Sequence, residues 1–125
     1  MDARGTVTAE EWGSLPPKTA KNMKLYIAIL TEFPDYMAPT LVAHSMLAAH
    51  LKFQDDLDYQ QWLHESFKKC VVRVNRKEFE KISKLPGVHL GHENTCLEGK
   101  PACAVVLPRQ EVPNVLKFAK LWKPE

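Results

Sequence analysis

Nowhere does the chain contain the roughly 18 consecutive apolar residues that cross a bilayer, and its first residues lack the basic-then-apolar pattern of a secretion signal. The expectation is an unprocessed, cytoplasmic protein with no membrane partner. Cysteine is scarce as well. Cys70 and Cys103 fall in predicted buried strands and Cys96 in a loop, the pattern of reduced thiols rather than of a disulfide framework. Nor does one charge dominate: 17 basic against 15 acidic side chains give +2, which excludes a polycation that coats nucleic acid indiscriminately. Electrostatic recognition must then come from local clusters. Internal repeats and low-complexity tracts are missing too, and 125 residues suit one domain able to bury about 70% of its unfolded surface without staples.

What the chain does contain is three short apolar runs, Lys24–Leu30, Cys70–Val74 and Ala102–Leu107, separated by segments of helical periodicity. Near-continuous apolar strands alternating with helices predict an α/β protein whose sheet is buried on both faces. Ile27, Ile29, Val72, Val74, Val105 and Leu107 are the expected core of that sheet. Residues 1–23 read as an N-terminal extension and 24–125 as the domain. In the extension Thr8-Ala9-Glu10-Glu11 has capping-box spacing, Trp12 is a candidate anchor and Pro16-Pro17 ends any helix; a docked arm and a loose tail fit equally.

After the first strand, Thr31–Tyr36 reads as a loop and Pro39–Phe53 as a helix with proline in its first turn. Val42, Met46, Ala49 and Phe53 make one face of this helix, while Thr40, His44, Leu47 and Leu51 form a second row roughly opposite. Such a helix needs cover on both sides, which predicts a homodimer over the outer row. A further helix is expected over about Asp58–Lys68, opened by Asp55-Asp56. Next come a basic helix, Arg76–Lys84, with Phe79 and Ile82 inward, and a short edge strand at Val88–Gly91. The last helix places Val112, Val115, Leu116 and Ala119 in the core.

The order strand, two helices, strand, helix, strand, strand, helix, with Gly99-Lys100-Pro101 leading into an Ala/Val-rich last strand ending in Pro108, resembles the type 2 peptidyl-tRNA hydrolase family over about residues 24–123. The likeness extends to bacterial proteins of that fold lacking the hydrolase motifs. It implies a four-stranded mixed sheet with helices on both faces, usually dimeric, and hydrolysis of the ester joining peptide to tRNA without metal or organic cofactor. By the same resemblance Thr40 stands at the family's lysine, His44 at its glutamine and Gly91 at its aspartate, with Thr95 kept and Glu93 a shifted carboxylate. Thr40, His44, Glu93 and Thr95 are thus the candidate catalytic residues. Loss of the lysine and aspartate motivates the alternative, a non-catalytic binding or regulatory protein that keeps the fold.

Thr40 and His44, four residues apart, share a helix face near the first strand's end, where open α/β sheets place their sites. His44 suits a general base or a phosphate contact, against the plainer reading of a partly buried histidine bonded to a backbone carbonyl. His89, His92 and Cys96 have zinc-compatible spacing without a fourth ligand, so no metal is assigned. Lys69, Arg73, Arg76, Lys77, Lys81, Lys84, Lys117 and Lys120 are the candidate RNA contacts, able to hold a tRNA backbone if they converge and ordinary solvated faces if they do not.

Overall fold

The computed structural model describes residues 23–92, 101–109 and 112–124. β1 (Lys24–Leu30) is followed by a short 3-10 turn (Asp35–Met37), α1 (Ala38–Phe53) and α2 (Leu57–Gln61), which runs on as a π-helical turn to Ser66. Then come β2 (Lys68–Val74), α3 (Arg76–Ser83), β3 (Val88–His92), β4 (Pro101–Arg109), α4 (Asn114–Lys117) and β5 (Lys120–Leu121). The strands form one open mixed sheet in the order β3-β4-β1-β2-β5, with β1 and β2 parallel and every other pair antiparallel.

Strand alternation puts the side chains of β1 into two cores, which is why the run reads as continuously apolar. Leu25, Ile27 and Ile29 pack with Leu41, Ala49 and Phe53 of α1 and with Tyr59 and Trp62. Ala28 and Leu30 face the other way, toward Val72, Val74, Phe79, Ile82 and Leu116. Helices α1 and α2 therefore cover one face of the sheet, and α3 and α4 the other. Local signals fix the helix starts. The Asp56 side chain accepts from the Tyr59 amide to cap α2, and Asn75 and Glu78 close a capping box on α3.

Several expectations need correcting. The described residues hold five strands rather than four: Lys120, expected on the last helix, and Leu121 pair with Arg73 and Val72 as β5. α4 stops after one turn, and the Trp122 amide donates to Val71 O at 2.9 Å, extending the sheet edge. The helix expected to reach Lys68 ends earlier, because Phe67 adopts a left-handed conformation (φ 57°) and Lys68 already belongs to β2. The buried face of α1 is Ala38, Leu41, Ser45, Ala49 and Phe53; Val42 and Met46 flank it half-buried. The small Ser45 and Ala49 in the middle of this face let α1 lie close over the sheet at Gly91. Leu107 is half-buried rather than fully inside, whereas Ile27, Ile29, Val72, Val74 and Val105 are all buried. The outer row of α1 is open in the single chain, with Leu47 66% and Leu51 63% exposed.

Ser45 meets Gly91 of β3 at the closest of these approaches. A Cβ at residue 91 would lie 2.0 Å from Ser45 Oγ and 3.0 Å from its Cβ, so only glycine fits. Gly91→Ala is expected to destabilise the fold by about 1–3 kcal/mol through overpacking. In a Ser45→Ala background the loss should shrink, because the nearer obstacle is gone. Denaturant unfolding of the two single variants and the double variant measures this, and strictly additive effects would show that the two residues do not press on each other.

Candidate functional site

The Ser45–Gly91 contact brings the side chains of α1 beside those of β3. Lys52 Nζ donates to Val88 O at 3.1 Å, tying the C-terminal turn of α1 to the beginning of β3. Within this junction His89 is half-buried, and Lys52, His92 and His44 are close enough for their charges to act on it. Burial first, then the nearby Lys52, His92 and His44, hold the His89 imidazole below its ordinary value, which favours its neutral form. His44 and His92 are exposed. Three imidazoles and one ammonium thus converge where β3 leads into residues 93–100.

Thr40 is exposed one turn before His44, as its spacing implies. Glu93 and Thr95 lie outside the described residues, as do Cys96 and residues 1–22; in the sequence Glu93 directly follows His92. Among the described residues no group of three His, Cys, Asp or Glu side chains is arranged to hold a metal ion. The spacing on α1 singles out His44 as a candidate but not Lys52, and the spacing of His89 and His92 points to zinc rather than to this junction. The available signal was the even spacing of His44, Ala48 and Lys52 along one side of α1, which becomes informative once β3 is known to lie against it.

The eight basic residues proposed for RNA contact are divided between the sheet's two faces. Lys77, Lys81 and Lys84 are exposed on or just after α3, and Lys117 is exposed on α4, across the sheet from His44. Arg76 makes a two-point ion pair with Glu32, at 2.6 and 3.1 Å, which raises its value. Lys69 and Arg73 lie on the α1 face. Lys69 Nζ sits 3.2 Å from the Phe67 ring centroid and donates to Phe67 O at 2.7 Å. Arg73 forks onto Asp35 at 3.0 and 3.1 Å, donates to Lys123 O at 2.6 Å and stacks over Trp122, while Lys120 is exposed opposite it in register. Arg73 is thereby committed to holding β5 and the turn after β1.

No protein-family model matches the chain, and no curated protein matches it. Among the described residues no helix is long and apolar enough to cross a membrane.

The depressed His89 value has a consequence for stability. The unfolded chain takes up a proton near the ordinary histidine value of about 6.5, and the folded chain resists it until lower pH. The contribution is therefore fully present above the unfolded value and is lost as pH falls toward the folded one. His89→Gln should flatten the dependence of stability on pH in that window. Urea unfolding at a series of pH values reads it directly, and unchanged slopes in the variant would show that His89 carries none of the dependence.

Proposed function

We propose that this chain is a peptidyl-tRNA hydrolase-like protein whose working face is the junction of α1 and β3. The observation that carries the reading is the convergence of His44, His89, His92 and Lys52 beside the point where the chain enters the 93–100 segment, which contains the candidates Glu93 and Thr95. The architecture supports it too. Apart from the two-residue β5, the sheet is mixed and four-stranded with helices on both faces, as the resemblance implies.

The chemistry suits such a group. Ester hydrolysis needs a base for the attacking water and positive charge or donors for the oxyanion. In this reading His44, open to solvent, accepts the water's proton as the oxygen attacks the ester carbonyl. The carbon–oxygen bond to the tRNA ribose breaks, the ribose oxygen takes up a proton, and the peptide leaves as a carboxylate. In the same reading Lys52 and His92 hold the phosphates near the ester, and the lysines of α3, on the other face of the sheet, take no part.

A second reading, a binding protein that does not turn over, is favoured by one feature. Thr40 and Gly91 stand where the resembled family has its lysine and its aspartate, so neither position supplies that family's charged group.

A release assay on peptidyl-tRNA separates the two. In the first reading wild-type protein frees the peptide, and His44→Ala lowers turnover by roughly 10²–10⁴-fold with tRNA binding nearly intact. Binding without release decides for the second. In either case Lys52→Glu should weaken tRNA binding and reduce its salt dependence, while Lys81→Glu on the opposite face leaves both unchanged. Equal effects of the two variants would remove the α1–β3 face as the binding surface.

A further inference from the structure

On the flank of α1 away from β3, a cleft of about 340 Å³ opens between α1, the π-helical turn and the start of β2, within the size range of ligand pockets. Its walls are almost wholly apolar, with Met46 and Leu47 coming from α1 and Trp62, Leu63 and Phe67 from the π-helical turn and its end. The polar atoms of its aromatic walls are already engaged. The Tyr59 hydroxyl and His50 Nδ1 share a hydrogen bond of 2.8 Å, and the Trp62 indole N–H donates to Lys68 O at 2.7 Å. The part of a guest that lies between these walls must therefore be apolar, since a polar group there would lose its water without gaining a partner.

The rim has the opposite character, because Lys69 brings a positive charge to it. Its Nζ donates to Phe67 O at 2.7 Å and lies 3.2 Å from the ring centroid of Phe67 and 5.4 Å from that of Trp62. These contacts hold the ammonium at the aromatic edge of the cleft. An ammonium has three N–H donors, and the Phe67 carbonyl takes one. Partial burial lowers Lys69 from the ordinary lysine value, so an anion beside it would offset the cost of that burial. The backbone is shaped to hold the arrangement. Phe67 ends the π-helical turn in a left-handed conformation, φ 57°, uncommon for a large side chain, and its amide donates to Trp62 O at 2.7 Å.

We propose that this cleft binds a small amphipathic carboxylate, with its apolar body against Met46, Leu63 and Phe67 and its carboxylate on the Lys69 ammonium. A guest on the order of ten non-hydrogen atoms fills the volume, at a water's share of about 30 Å³ for each. Medium-chain fatty acids have that size and that division into apolar tail and anionic head. Charge complementarity selects the acid over the alcohol or the amine of equal length, because only the anion gains a charge-assisted hydrogen bond from Lys69 and the amine is repelled by it. The site is independent of the imidazole cluster, which lies on the other flank of α1.

The test titrates octanoate, octanol and octylammonium, each below its micelle concentration, into the full chain carrying methyl-labelled methionine, the Met46 resonance being assigned by Met46→Leu. Octanoate is expected to shift the Met46 methyl saturably and to bind roughly tenfold more tightly than octanol, with octylammonium the weakest. Lys69→Gln changes an exposed side chain and so keeps the fold. It should weaken octanoate roughly tenfold and leave octanol as before, while Lys81→Gln on the other face of the sheet changes neither. Octanoate that produces no saturable Met46 shift overturns the proposal, as does a preference for the acid that survives Lys69→Gln. The comparison of the three probes on the unaltered chain needs no variant, and equal affinities there overturn the choice of an anion. A Met46 shift that follows protein concentration rather than octanoate overturns the proposal in favour of a second copy.

Discussion

Ser45 lies so near Gly91 that no side chain fits between α1 and β3, and this steric limit sets the position of the helix over the sheet. Its hydroxyl is buried, and the buried Cys103 thiol lies against it across the layer. Burial pushes that thiol up to about 12, with the Ser45 hydroxyl pulling weakly the other way, so Cys103 is an inert packing group rather than a nucleophile. With the helix seated so low, Lys52 reaches the backbone of β3 and His44 comes within electrostatic range of His89. The candidate site follows from a packing constraint at two small residues, and its polar members sit along the rim of that contact.

The opposite flank of α1 has a different character. There large aromatic side chains, Tyr59, Trp62 and Phe67, form a tilted series with ring centroids 5.3 to 5.5 Å apart. Tyr59 OH and His50 Nδ1 share a hydrogen bond of 2.8 Å, so His50 is occupied in the wall of the cleft and takes no part in the imidazole group near β3. One helix thus separates a cationic face from an apolar one. Arg73, with Asp35, the Lys123 carbonyl and Trp122 as partners, closes the far edge of the same layer. An arginine so fully engaged and largely buried is a structural clamp.

Most of the fold was legible because the strand residues that alternate between two cores are apolar at every position, and because proline, glycine and capping side chains mark the element ends. Gly87, with φ 73°, ends the segment after α3 as Leu85-Pro86-Gly87 implies. The end of the chain was less legible: β5 is two residues long, and its pairing depends on Arg73 and Trp122, partners far apart in sequence. The π-helical turn was equally hidden, since its stop is a phenylalanine in a conformation that sequence normally reserves for glycine or asparagine. For the site, His44 was visible from its place on α1. The grouping with His89, His92 and Lys52 was not, because it depends on which strand lies under the helix. The basic residues showed the converse: a cluster dense in sequence is split by strand alternation and by the sheet itself.

The convergence of imidazoles at the α1–β3 junction is tested most directly by nuclear magnetic resonance titration of the five histidine side chains, without and with tRNA. His89 should titrate below the ordinary histidine value, and tRNA should shift His44, His89 and His92 together while leaving His50 and His64 in place. Ordinary titration of His89, or tRNA-induced shifts that miss these three residues, would contradict the account.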